Sequence, residues 1–440
     1  MKRREFLAGA AGLAAAARVG RTVAATAKGG RPLPELVPEG DLPVVSLDVE
    51  ASRARQTLVL AGNRPILASP QGAVVEIPAG ASVPVKWWWL AVEANSGAVP
   101  GARIILRGAA GGGGRPRLHA PGDNALLEIH NRTGHALSFE LENLELEAGI
   151  GGPVVSGTDM RLVRLADCAL QGGKECLFLP SGRTVAQLED CVLRRGGQGD
   201  GYSHTVYINY IERFLARRTT FAAARAEGHA FKCYAANIGL HGCTIAGWQS
   251  LEDRDGGFYG MLPPADIGAW SNSTIADSTF IRRGPTRDYC LEYRNRQWPR
   301  GSNAYVAPDW GTAVVDYRKV DNRDPANPFL FHHFLVNNRF VNGLLPDGGI
   351  DPAIRANPGI AVRNNGTAPW DSPGDAEPGP RSQPADYRPF NERAVVWAVG
   401  NHFDGVPFAT EFDEHPGDRP DRYAPIRRLG RLPDWARLEG

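Results

Sequence analysis

The sequence is short of net charge: 49 Lys and Arg stand against 48 Asp and Glu over 440 residues, leaving +1. That balance gives no electrostatic claim on nucleic acid or an anionic membrane as the main partner. Lysine is scarce, confined to Lys2, Lys28, Lys86, Lys174, Lys232 and Lys319. A GC-rich genome accounts for such an Arg bias, which carries no functional meaning. Methionine occurs three times. No segment reaches about eighteen uninterrupted apolar residues, so no transmembrane segment is expected. The six cysteines (Cys168, Cys176, Cys191, Cys233, Cys243, Cys290) form no C-x-x-C pair and no Cys/His zinc spacing. Helix-period stripes longer than two turns are missing after Lys28, which counts against a helical bundle.

What the chain has instead is glycine (52), proline (34) and 42% hydrophobic residues. It is turn-dense, with apolar mass enough for a sizeable core. Two or three domains would be ordinary at this length, unless the chain is built of repeats. Its start reads as an address. Lys2-Arg3-Arg4-Glu5-Phe6-Leu7 precedes a weakly apolar run, Ala8 to Ala17, and then Ala25-Thr26-Ala27 as an A-x-A cleavage candidate. Residues 1–27 are therefore expected to be a twin-arginine (Tat) export signal, removed from a periplasmic or secreted protein.

A short pattern recurs: a polar residue, then a small one (most often Cys, Ser, Thr or Asn), any residue, and a large apolar one. Its copies are Asn143-Leu144-Glu145-Leu146, Asp167-Cys168-Ala169-Leu170, Asp190-Cys191-Val192-Leu193 and Arg218-Thr219-Thr220-Phe221. Gly242-Cys243-Thr244-Ile245, Asp277-Ser278-Thr279-Phe280, Asn337-Asn338-Arg339-Phe340 and Gly400-Asn401-His402-Phe403 continue it. Counted on the second position, the steps are 24, 23, 28, 24, 35, 60 and 63 residues. The first four match single turns of a parallel β-solenoid; the longer ones are turns carrying loops, or two turns each. Second and fourth residues share a strand face, so both are expected to point inward and to stack about 4.8 Å apart on successive turns. Three of the cysteines fall in this phase and are expected to be core side chains. The fold class predicted is all-β, a single-stranded right-handed parallel β-helix.

Two segments at the centre carry a family resemblance. Gly199-Asp200-Gly201-Tyr202-Ser203-His204-Thr205-Val206-Tyr207 and Gly228-His229-Ala230-Phe231-Lys232 resemble the GDG-x-x-H-x-x-Y and GH-x-x-K segments of bacterial right-handed parallel β-helix proteins of the pectate-lyase-like superfamily. The resemblance spans roughly residues 100 to 405. It departs from the family pattern after Lys232, which Cys233-Tyr234-Ala235 follow here, and in a compressed acidic segment, Ser250 to Gly257.

The organisation expected is a signal (1–27), a strand-rich N-terminal cap (28–100), the β-helix (101–405, with a Pro-rich loop at 366–392) and a tail (406–440) along the outside. In Trp87-Trp88-Trp89 the outer two are expected to share one face, most simply the core of the cap; exposed, they would suit a glycan groove.

His204 lies 13 residues after Cys191, and Lys232 lies 13 after Thr219. In-register turns would therefore stack the two at one corner, with Tyr207 and His229 close by. Such a patch suits β-elimination on a uronate polysaccharide, the partner expected, by a monomeric enzyme. His204 is the candidate base. Lys232 or Arg254 would hold the substrate carboxylate, and Tyr207 would protonate the leaving oxygen. Asp200 and Tyr202 are candidate substrate contacts. Glu252, Asp253 and Asp255 are a candidate Ca²⁺ site, since hard oxygen ligands suit that ion. Rival readings are a glycoside hydrolase pairing Asp200 with Asp253 or Asp255, a non-catalytic glycan-binding or envelope scaffold, and a patch that merely ties a loop to the coil.

Overall fold

The computed structural model describes residues 36–63, 67, 69–198, 203–222, 228–235, 237–247, 264–268, 271–282, 290–294, 331–342, 360–363, 394–404 and 426–431. Each turn of the chain lays one strand in each of three parallel sheets. One turn runs through Trp88–Glu93, Ala102–Gly108 and Arg117–His119. The next, Leu127–Arg132, Leu137–Glu142 and Glu145–Ala148, pairs with it rung on rung. Leu177–Glu189 and Val206–Arg217 pass through the first and second sheets without a break. The protein is an all-β, right-handed parallel β-helix. Alternation sorts the side chains: in Leu162–Ala166, Val163 and Leu165 enter the core while Arg164 faces out. One core cluster runs from Val45 to Val396. No described helix is long and apolar enough to cross a membrane.

The recurring motif is the bend between the second and third sheets. Its first residue takes a left-handed conformation in every copy: Asn143, Asp167, Asp190, Arg218, Asp277 and Asn337 have φ of 46–54°, Gly242 has 60° and Gly400 has 64°. Most residues resist that region, and Asn, Asp and Gly tolerate it best. The second residue turns inward and ties the bend. Cys168 Sγ, Cys191 Sγ, Thr219 Oγ1 and Ser278 Oγ each donate to the carbonyl two residues back, at 3.3, 3.2, 2.9 and 2.9 Å. The same position also links one turn to the next. Cys243 N–H donates to Ser278 Oγ (3.0 Å), Ser278 N–H to Asn338 Oδ1 (3.0 Å) and Asn338 N–H to Asn401 Oδ1 (2.9 Å). Beside this ladder the fourth residues stack: Phe280, Phe340 and Phe403 lie 5.0 and 4.9 Å apart, within 9° of parallel.

Outside, the second sheet carries an alternating ion network. Arg103 grips buried Glu140 through two bonds of 2.7 and 2.8 Å. Arg164 reaches Glu142 at 2.6 Å, Glu142 meets Arg107 at 2.6 Å, and Arg107 reaches Glu39 at 2.5 Å. Burial alone would raise the Glu142 carboxyl; the two guanidiniums outweigh it and hold the carboxyl below its usual range. At the N-terminal end, Val44–Ser46 edges the second sheet and the helix Val49–Arg55 follows, capped by Asp48, whose Oδ1 accepts from Ala51 N–H at 2.9 Å.

The structure refines several expectations. Strands Gly72–Ile77, Ser82–Pro84 and Trp88–Glu93 already stack in the ladder, ahead of residue 101. The 60- and 63-residue steps are single turns, because Phe280 pairs with Phe340 and Phe340 with Phe403 on adjacent rungs. Within the tail, Ile426–Leu429 adds a strand to the second sheet instead of lying along the outside. The candidate signal and residues 366–392 lie outside the described residues. All six cysteine side chains are buried.

Two outcomes are expected. Asn338→Leu strips hydrogen bonds from Ser278 N–H, Ile275 C=O and Asn401, and should cost at least about 2 kcal/mol in denaturant unfolding. Burial pushes the thiol of Cys176 up to about 12 and that of Cys243 to about 11. Native protein at pH 8 should therefore resist alkylation at Cys176 and Cys243, which should take up reagent only in denaturant, as mass spectrometry would show.

Candidate functional site

Four of the expected residues come together on the outer face of the first sheet. Ile208, Cys233 and Ile267 point into the core, so their neighbours Tyr207, Lys232 and Asp266 point outward. These three are register partners on consecutive rungs. Lys232 therefore stacks on Tyr207 and not on His204, correcting the equal-spacing expectation. The third sheet pairs Val192 with Thr220, a separation of 28 residues, while Tyr207 to Lys232 is only 25. The connection into the first sheet is three residues shorter on the later turn, and the phase slips by that much. His204 meets His229 instead.

The contacts close into a ring. Lys232 Nζ lies 5.0 Å from the centroid of the Tyr207 ring and 5.5 Å from that of Tyr234, cation–π contacts of about 0.5–2 kcal/mol each. The Tyr234 hydroxyl donates to Asp266 Oδ2 at 3.0 Å, and His229 Nε2 sits 3.4 Å from the same oxygen. The His229 and His204 rings are 5.0 Å apart, and His204 meets Tyr207 edge-on at 5.1 Å, which completes the circuit. Among the described residues, Asp266 Oδ1 has no hydrogen-bond donor.

Burial divides the ring in two. His204 is 0% exposed, His229 and Asp266 1%, and Tyr234 4%, whereas Tyr207 and Lys232 are half-buried. The backbone N–H of His229 donates to Nδ1 of His204 at 3.1 Å. That nitrogen's lone pair is taken, so the ring proton belongs on Nε2. His204 is thus enclosed, and its Nδ1 already accepts a backbone bond. Tyr207 and Lys232 are the more exposed members of the ring.

Compared with models of known protein families, with curated proteins and with solved structures, the chain matched none. Its function is therefore argued from the site itself.

Asp200, Tyr202, Arg254 and the candidate calcium ligands Glu252, Asp253 and Asp255 lie outside the described residues. Among the described residues no group of three or more His, Cys, Asp or Glu is arranged to hold a metal ion. Sequence reasoning missed Tyr234 and Asp266. Tyr234 was within reach, standing two residues beyond Lys232 in the segment where the family pattern breaks. The tryptophan expectation is overturned: Trp88 is buried in the core, while Trp87 is 53% and Trp89 45% exposed. Trp87 sits in a left-handed bend (φ 53°), so the alternation starts only at Trp88.

Tyr234→Phe removes a donor from a buried carboxylate and should cost about 1–3 kcal/mol in denaturant unfolding. Lys232→Met, at the half-exposed rim, should cost less; an equal loss would mark the whole ring as structural.

Proposed function

We propose that the chain is an exported carbohydrate-active enzyme of the pectate-lyase-like type that cleaves a uronate-containing polysaccharide by β-elimination. The observation that carries this reading is the Lys232 ammonium beside the Tyr207 phenol on an outward rung, backed by the enclosed His204–His229–Asp266–Tyr234 network. A parallel β-helix fits carbohydrate-active enzymes generally, and the twin-arginine stretch at Arg3-Arg4 fits export.

The chemistry asks for two things at one place. Loss of the proton α to the uronate carboxylate builds negative charge on that carboxylate, which a fixed cation stabilises; this is the role of Lys232. The C–H electrons then form the C=C bond as the C–O bond of the glycosidic linkage breaks. The departing oxygen must receive a proton: Tyr207, half-buried beside the ammonium, would take the α-proton as a phenolate and, as the phenol so formed, deliver it to that oxygen. The buried histidines, aspartate and Tyr234 hold these two in position. Arg254 as a second carboxylate contact, and a Ca²⁺ ion on Glu252, Asp253 and Asp255, remain part of the proposal. The hydrolase alternative needs two carboxyl groups flanking the bond. Asp266, the one carboxylate among the described members of the ring, is enclosed, which favours elimination.

The test is incubation of the mature protein with pectic, alginate and glycosaminoglycan substrates, with and without Ca²⁺. Elimination yields an unsaturated product absorbing in the ultraviolet. Lys232→Ala and Tyr207→Phe should each lower kcat/KM by at least about 10²-fold while circular dichroism is unchanged. New reducing ends without absorbance, or full activity in Lys232→Ala, would contradict the reading.

A further inference from the structure

The outward file that holds Tyr207 and Lys232 does not begin there. Register pairing carries it back through Phe178, Ser156 and Glu128 to Trp89. Each rung advances about 4.8 Å, so roughly 24 Å separate Trp89 from Lys232 along the coil. Little protrudes between them: Ser156 is buried, and Glu128 and Phe178 are half-buried. The file is a flat track, with an ammonium and a phenol near one end and two exposed indoles at the other.

Those indoles are held rather than loose. Trp87 Nε1 donates to Glu128 Oε2 at 2.8 Å. The Trp89 ring packs against His130, centroids 5.5 Å apart, with the Arg132 guanidinium 5.5 Å from its centroid. Arg132 is steadied in turn by Glu93 at 3.0 Å. An exposed aromatic pair oriented by its neighbours and rimmed by hydrogen-bonding groups offers preorganised apolar faces with polar edges. The hydrogen-bearing face of a pyranose ring matches an indole face, and Arg132 supplies a cation for a ring carboxylate.

We infer that Trp87 and Trp89, with Arg132 and Glu128, form a remote sugar-binding platform for an acidic glycan lying along this track. The spacing suits an extended chain of about four or five rings, since one rung is close to the advance of one pyranose. Short oligomers reach one end of the track; long ones engage both and gain affinity through linkage. The inference rests on the glycan reading of the site but not on cleavage.

The experiment measures calorimetric affinity for galacturonate and guluronate oligomers, as trimers and octamers, on a Tyr207→Phe background that prevents turnover. The background protein should bind the octamer of one series at least about tenfold more tightly than its trimer. Adding Trp89→Ala should erase that length dependence, and Trp89→Phe should keep part of it. Octamer affinity unchanged by Trp87→Ala/Trp89→Ala would overturn the platform, even if the parent enzyme proves to be a lyase. Loss of octamer affinity in that variant, when the parent cleaves nothing, would sustain the platform and sink the lyase reading. No binding of either series by the background protein would overturn the platform, while the substrate screen would still decide the lyase reading. A dimer in sedimentation that the double variant dissolves would also overturn it, by assigning the indoles to a second copy of the chain.

Discussion

The left-handed bend between the second and third sheets, tied by a small inward side chain, governs where everything else falls. A non-glycine residue in that conformation costs about 1–2 kcal/mol, and six of the eight bends use one. The cost is offset locally: in five of the eight bends the next side chain donates to the carbonyl two residues back, and Thr219, Ser278, Asn338 and Asn401 each accept a backbone N–H from the turn before. Bonds of this kind are worth about 0.5–1.5 kcal/mol net, and much more is lost if one member is left alone in the core. Because side chains alternate along a strand, a slip of one residue would turn every apolar group outward. The tied bend denies that slip on each turn.

Fixed register then makes columns. Inside, like residues stack, as the phenylalanines of the third sheet do. Outside, the columns are free to differ. On the second sheet they interlock Arg103, Glu140, Arg164, Glu142 and Arg107. On the first they align Trp89, Tyr207, Lys232 and Asp266. The bends hold the third and second sheets in step, whereas the connections into the first sheet vary in length. Chemical variety therefore collects on the first sheet, where a shift of a few residues changes which side chains become neighbours.

This division explains what the sequence made legible. The bend demands a particular pair of residue types, so its eight copies stand out and mark the architecture and most of the register. The core cysteines followed from the same phase. Connection lengths leave no comparable mark. The three-residue shortening that sets Lys232 against Tyr207 was invisible, as was the 34-residue span that brings Asp266 beside Lys232. Enclosure was equally hidden: His204 has the chemistry of a base, but nothing in its sequence context shows that it is fully buried with its Nδ1 accepting the His229 N–H. Trp87–Trp89 misled because one left-handed residue resets the count of alternation, and Trp87 gives no sign of that in its type.

The outward file is the claim on which both functional readings stand, and a distance settles it. Nitroxide labels on Trp89→Cys and Lys232→Cys would avoid the six enclosed native cysteines. Double electron–electron resonance should then give a narrow distribution near roughly 24 Å, five rungs of about 4.8 Å each, broadened only by the label arms. A broad distribution, or one centred well beyond the reach of those arms, would place the two residues on different faces of the coil and contradict the account.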